Sequence, residues 1–425
     1  MTVKRRLLIL LSSILITQPL YAKSEVEELK DMVKSLTKRI AVLENKSSSH
    51  SLKKPHNPHN AELPVPTTKS VEKDASSEPI HLVKSRDEKL KVTLQGMIHR
   101  GALYVDNSKK SKLFSVDNDN DPSRVTVLAD GKFNEDISVQ AATEVAPIDN
   151  STADIDIRPN GISRNYVHVR RAEVSVTSKT AGTIFLGRGD TTTYNIPEYD
   201  ISGTDAPASG AGVAYLAEGI TFIDRLNPTP IGPTVIKAWD DMDGLGQASR
   251  IRYDTPQFGI FTLGTSYSNT NSGDVALKWD ADTDGTKIQG GVGFGKKSEN
   301  WRQISGSNSI LFPCGLSITG AGGFRNHFKN TTGTSRSSAK YIFGKLGYKY
   351  KLFSFGYTAI AANLGFARNM TANSQKTTTY GYALVQHIDS IATEVYVTGQ
   401  WYDLDQTGTN FGKITATMLG VRIKF

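Results

Sequence analysis

Charged side chains of opposite sign gather around one part of this 425-residue chain. The stretch between positions 189 and 248, about 58 residues, contains Asp190, Glu198, Asp200, Asp205, Glu218, Asp224, Asp240, Asp241 and Asp243. The segments on either side supply Arg171, Arg188, Arg250 and Arg252. In an extended strand Arg250 and Arg252 share one face, while Ile251 and Tyr253 lie on the other. Arg171 likewise opposes Ala172, Val174 and Val176. Acids facing arginines across a narrow, water-filled gap orient polar solutes in a transverse field; paired with one another, they hold a segment in place. The residues suit both roles, and neither is a reaction. His99, His168, His327 and His387 sit in no Ser or Asp motif, and there is no nucleotide loop, HExxH or metal-ligand cluster. The pattern therefore supplies no catalytic residue, cofactor or metal.

The elements that would position these charges are strands. From residue 88 onward the chain alternates apolar and polar residues in short segments separated by Gly, Asn, Asp and Ser. In KVTLQGMI (91–98), Val92, Leu94 and Ile98 oppose Lys91, Thr93 and Gln95; in TEVYVTGQW (393–401), Val395 and Val397 oppose Glu394, Tyr396, Thr398 and Gln400. The expected strands are 90–105, 123–129, 133–145, 164–177, 182–189, 248–255, 258–269, 274–283, 286–297 and 306–313. They continue with 314–327, 339–350, 353–368, 376–388, 391–403 and 412–425. Sixteen is even, as bacterial barrels require, and the spacing is about 21 residues per strand plus connection. A soluble β-sandwich alternates similarly. Tyr348, Tyr350, Phe353, Phe355, Tyr380, Tyr382, Trp401 and Tyr402, near strand ends, instead suit membrane-interface girdles. The fold class expected is all-β, a transmembrane antiparallel β-barrel preceded by a short α-helical coiled coil. One residue resists the scheme: parity from Ile184 and Leu186 aims Arg188 outward, although it stands where strand gives way to loop.

Four parts are expected along the chain. Residues 1–22 carry Lys4, Arg5 and Arg6, then an apolar run of about ten residues ending at a small-residue cleavage site, the pattern of a signal peptide. Losing those three cations takes the formal charge from +8 to +5, too small and dispersed for nucleic acid. Residues 23–46 hold Val26, Leu29, Val33, Leu36, Ile40 and Leu43 at alternating steps of three and four, a heptad seam. Val/Ile at a with Leu at d leans towards dimers and does not establish a trimer. Residues 47–87, rich in Ser, Pro, Asn and Lys, form a linker. The barrel occupies 88–425, with a loop at about 190–247 far longer than ordinary connections of up to about 15 residues. The lone Cys314 excludes an intrachain disulfide.

The final stretch, MLGVRIKF (418–425), keeps the alternation to Phe425, as a strand closing on the first must in lipid. These features resemble the trimeric porins of Gram-negative outer membranes. RRAEVSVTSKTAGTIFLGRGDT (170–191) is similar to the hairpin that precedes the porin third loop, and GQASRIRYDTPQFGIFTLGTSYS (246–268) to the hairpin that follows it. NIPEYDISG (195–203) resembles the stretch that places acids at the constriction. The N-terminal helix resembles that of the dicarboxylate-type (DcaP-like) porins; phosphate-selective porins are a second relative. The resemblance implies passive diffusion of small hydrophilic solutes through a water-filled channel, with a lean towards anions such as carboxylates. It implies a constriction formed by Arg171, Arg188, Arg250, Arg252, Glu198, Asp200 and Asp205. It also implies a homotrimer among outer-membrane lipid and lipopolysaccharide, inserted by the barrel-assembly machinery through the Phe425 signal, with the helix in the periplasm. A barrel-anchored tether or adhesin, its helix reaching peptidoglycan, is the alternative; an inert anchor has no use for the long loop.

Overall fold

The structure, a computed structural model, describes residues 80–84, 90–157, 165–226, 231–327 and 337–425. The expected signal peptide, coiled-coil seam and most of the linker lie outside them. Sixteen strands, each antiparallel to its neighbours, form a closed barrel. They are β1 (Leu90–Asp106), β2 (two collinear segments, Ser111–Asp117 and Arg124–Lys132), β3 (Ile137–Asp149), β4 (Asn165–Ser178), β5 (Gly182–Asp190) and β6 (Gln247–Asp254). Next come β7 (Phe261–Ser268), β8 (Ser272–Thr283), β9 (Thr286–Lys297), β10 (Trp301–Leu311) and β11 (Leu316–His327). The last are β12 (Ala339–Phe353), β13 (Gly356–Arg368), β14 (Lys376–Ile388), β15 (Thr393–Asp405) and β16 (Ile414–Lys424).

The strand count matches the expectation, but β2 does not. Its two segments pair in turn with the upper and lower halves of β1. Residues 118–123 interrupt it, and Pro122 has no N–H to give a ladder. The alternation across this break is lost, so the segment Ser111–Asp117 is hidden from a sequence reading.

β16 closes the barrel against β1, from Lys424 opposite Met97 to Thr415 opposite Asp106. Phe425 exchanges two backbone hydrogen bonds with Gly96, at 2.7 and 3.0 Å. Its ring lies over that glycine, where a Cβ would come within 2.8 Å of Cζ. Below that point the strand Ile80–Lys84 takes over the edge of β1, pairing with Lys91–Leu94.

Side chains sort by parity. Ile251, Leu263, Phe294, Ile304, Ile342, Phe366 and Leu419 face outward and are exposed, as a lipid-facing wall requires. Tyr348 stacks on Tyr350 and Phe353 on Phe355 in the outer girdle. Tyr402 is not part of it: fully buried, it faces the interior and donates its hydroxyl to Val213 O at 2.6 Å.

Connections at the end shared with Phe425 are short, such as 284–285 and 354–355, and those at the other end include 150–164 and 191–246. In outer-membrane barrels the short turns are periplasmic. The longest connection folds back inside. Val213, Leu216, Phe222, Trp239 and Met242 of this loop pack on Leu103, Val105, Tyr341, Phe343 and Met418 of the wall. Trp239 meets Tyr341 and Phe343 edge-on at 5.7 and 6.3 Å. Full burial stabilises each such side chain by roughly 1.5–3 kcal/mol. An apolar sector of the inner wall thus holds the loop within the barrel.

Candidate pore constriction

The loop begins at Thr191 on top of β5 and first crosses β8 to β10. There the wall is small and hydroxylated: Gly291 and Gly293 alternate on β9, and Ser305, Ser307 and Ser309 on β10. A Cβ at Gly291 would lie 2.8 Å from Ile196 Cδ1, so glycine there leaves room for the Ile196 side chain of the short helix Ile196–Glu198. Ser307 donates to Ile196 O (2.5 Å) and accepts from Tyr199 N (3.1 Å); Ser309 accepts from Ile201 N at 3.1 Å. The returning limb is held similarly, with Gln303 and Ser305 donating to Met242 O at 2.8 and 2.9 Å. Backbone groups taken out of water are thereby satisfied.

Ion pairs then tie the loop to the far wall. Asp200 meets Lys345 of β12 at 2.5 Å, both buried. Asp205 meets Arg422 of β16 at 2.7 Å. Arg422 also holds Asp121 (2.6 Å) and Glu394 of β15, so one buried guanidinium joins loop, β2 break and barrel seam. The break grips the loop again: Asn120 donates to Asp205 O and accepts from Ser209 N, both at 2.9 Å. Burial opposes ionisation of Asp205, but Arg422 and then Lys424 outweigh it and hold its carboxyl well below the usual range.

The four arginines expected at the constriction do not act together. Arg250 and Arg252 share the inner face, as parity requires, but both are buried. Arg250 pairs with Glu173 at 2.5 Å and donates to Asp190 O at 2.9 Å. Arg252 grips Asp254 through two nitrogens, at 2.5 and 2.8 Å. Their guanidinium carbons lie 5.5 and 5.0 Å from the Phe185 ring centroid. They brace the base of the loop through wall carboxylates. Arg188 follows the parity of Ile184 and Leu186 to the outer face, where Nε donates to Val169 O at 2.7 Å. Strand register persists to Asp190, opposite Gln247, so the expected release of parity at the loop junction does not occur.

Arg171 does face inward, with a neighbour the alternation hid. Glu144 pairs with Arg171 and Val145 with Val169, leaving Arg170 as the extra residue of a bulge. Such a bulge turns two successive side chains to the same side. Arg170 Nε donates to Glu144 at 2.7 Å, and Arg171 Nε to Glu173 at 2.7 Å. Arg124, beyond the β2 break, completes the group, 3.8 Å from Glu144. The side chains of Arg124, Arg170 and Arg171 are 21, 16 and 24% exposed, against 1% for Arg250. Water reaches them more freely than Arg250.

Across from them the loop carries acids. Arg170 Nη2 lies 3.4 Å from the hydroxyl of Tyr194, two residues before the Ile196–Glu198 helix. Glu198, Asp241 and Asp243 share this region; Asp240, beside them, is held by Arg325 of β11. Burial, then Asp243 and Asp241, pushes the Glu198 carboxyl well above its ordinary range. Burial and Asp241 do the same to Asp243, and burial followed by Asp240 raises Asp241 to about 6. Glu218 is raised by burial and then Asp119. These loop carboxyls hold protons well above the usual carboxylate range, while the arginines opposite stay charged. Among the described residues no group of three or more His, Cys, Asp or Glu could hold a metal ion.

Known proteins share this architecture. Residues 74–407 match the family model of the Gram-negative porins. The anion-selective porin from Comamonas acidovorans superposes with a TM-score of 0.54 at 16% identity, over 79% of this chain and 100% of that one. The outer membrane channel DcaP of Acinetobacter baumannii gives 0.54 at 11% identity, over 81% and 100%. OmpT, an outer membrane protein of Vibrio cholerae, gives 0.52 at 12% identity, over 81% and 99%. None of the curated proteins matches the chain. At such identities the superpositions establish the fold, and the family model, spanning most of the chain, establishes kinship: this chain belongs to the Gram-negative porin family of non-enzymatic outer-membrane channels.

Proposed function

We propose that solutes cross between the loop acids and the wall formed by β2 to β4, and that this constriction favours small anions, carboxylates among them. The observation that carries the reading is the Arg170–Tyr194 contact, with three partly exposed arginines on one side and proton-holding carboxyls on the other. A cationic wall opposite partly neutral acids leaves a net positive field, and low-dielectric walls strengthen its hold on a passing ion. The similarity to an anion-selective porin supports the same reading. In planar bilayers the protein should give ohmic steps, and its zero-current potential in a salt gradient should report anion preference. Folded protein giving cation preference would refute the assignment.

The preference should depend on pH. Carboxyls with raised pKa values are neutral in acid and ionise as pH climbs. Asp241 does so through about 6, and burial with neighbouring acids raises Glu198 and Asp243 well above their ordinary values. Raising pH from 5 to 8 therefore adds negative charge at the constriction and weakens anion preference. The double variant Glu198→Gln, Asp241→Asn should flatten that dependence; an unchanged slope would place the titration elsewhere.

The same reading takes the assembly to be a homotrimer. Outward on β3 to β5 stand the aliphatic Val139, Ala141, Val174, Val176, Ile184 and Leu186, with Arg188 at the loop end, whereas Tyr348, Tyr350, Tyr380, Tyr382 and Trp401 stand on β12 to β15. A smooth aliphatic wall suits another barrel. Removing residues 24–46 should then leave the oligomer intact in mild detergent, with the helix supplementing assembly or reaching a periplasmic partner. Phe425 is read as the assembly signal; its deletion would test that by outer-membrane yield.

A further inference from the structure

His387 stands apart from the constriction charges, yet its ring joins the loop to the wall. It is the last residue but one of β14, inward on the parity of the buried Ala383 and Val385, and directly opposite Glu394 of β15. Nε2 stands 2.9 Å from Gly203 O of the loop, and Nδ1 stands 3.4 Å from Glu394 Oε1. Both partners are acceptors, one a carbonyl oxygen and the other a carboxylate oxygen. A neutral imidazole carries hydrogen on one nitrogen and serves only one of them; the doubly protonated ring serves both. The loop side is built for the contact. Gly203 has φ +81°, and a Cβ there would come 3.2 Å from Ala359 Cβ and 3.3 Å from Lys349 Cδ. Glycine thus lets the backbone approach the wall and turn its carbonyl to the ring.

We propose that His387 is a positioning residue for the constriction, a latch that closes on Gly203 when its ring is protonated and loosens when the ring is neutral. The inference rests on the reading in which this loop borders the solute path. Acids and cations both face the ring. Glu394 comes from β15, Asp205 from the loop and Asp389 from the adjoining turn. Arg422 and Lys424 of β16 share Glu394 with it, and Lys349 of β12 stands beside Gly203. Lys345 is taken up by Asp200, and the ring of Tyr357 on β13 lies under Lys349 at 4.8 Å. Imidazole is the side chain whose charge ordinarily changes between about pH 5 and 8. The ties of Asp200 to Lys345 and of Asp205 to Arg422 do not use this proton. Losing it therefore loosens the loop between those two anchors without releasing it from the barrel.

Single-channel recording at pH 5 and pH 8 tests the latch. Current fluctuation in the wild-type channel should grow as pH rises, with the loosened state gaining roughly tenfold, the worth of one hydrogen bond to a charged group. His387→Gln keeps a neutral donor for Gly203 and should fluctuate at both pH values as wild type does at pH 8. Glu198→Gln, Asp241→Asn should lose the pH dependence of selectivity and keep that of fluctuation. The zero-current potential comes from the same recordings, so the anion assignment and the latch stand or fall separately. Equal fluctuation at the two pH values in wild type would overturn the proposal. So would an unchanged pH response in His387→Gln, or its disappearance in Glu198→Gln, Asp241→Asn.

Discussion

Exchanging Arg170 and Arg171 for glutamate should move the zero-current potential in a salt gradient from the anion side to the cation side. The two residues share the inner face because of the bulge opposite Glu144, and both reach water. The exchange replaces two positive charges with two negative ones opposite loop acids. Charges about 4 Å from an ion act with about 4 kcal/mol near a protein surface and about 1 kcal/mol in bulk water. Even a fraction of the former spans more than tenfold in relative permeability. The shift should shrink in molar salt, where the screening length falls to about 3 Å. Arg250→Glu serves as the contrast. It would place a carboxylate beside Glu173 at a site with a 1% exposed side chain, so the expected outcome is poor folding, not altered selectivity. If the Arg170 and Arg171 variant folds and keeps wild-type selectivity, these arginines only brace the wall.

Arg422→Ala should be the most damaging single truncation in the barrel. One buried guanidinium holds Asp121, Asp205 and Glu394, and its removal leaves three carboxylates around an emptied site. Removing one partner of a buried ion pair costs about 3–5 kcal/mol. The loss falls on loop docking and barrel closure together, because Arg422 lies on the strand that completes the seam. The variant should unfold at lower denaturant concentration, and surviving channels should show enlarged current fluctuations as the loop loosens. Arg422→Lys should recover only part of this, since an ammonium cannot engage three carboxylates through separate nitrogens in a fixed plane. Quiet channels with wild-type stability in Arg422→Ala would mean that the apolar loop face alone holds the loop.

Much of this was legible in the residues. Alternation identified the strands, and Arg250 and Arg252 do face inward with Ile251 and Tyr253 outward. What failed were places where the period of two breaks. The bulge at Arg170 hid an inward cation beside Arg171, and the interruption at 118–123 hid both the upper half of β2 and the role of Arg124. Inward parity was also mistaken for access: Arg250 and Arg252 point to the interior yet are closed in by Glu173, Asp254 and Phe185. The loop's long-range partners were unreadable. Asp200 finds Lys345, and Asp205 finds Arg422 across 217 positions. Arg422 did carry a signal, as a cation on the inward parity of the last strand, but no local pattern says which acid it will meet.

Covalent modification inside the working channel tests the placement of the constriction most directly. In a background where the exposed Cys314 is changed to serine, Arg171→Cys and Arg188→Cys can each be treated with a negatively charged, water-soluble thiol reagent during single-channel recording. Current through Arg171→Cys should fall in a discrete step and lose anion preference. Current through Arg188→Cys, whose side chain lies on the outer wall, should not change. A step block at Arg188→Cys with none at Arg171→Cys would contradict it.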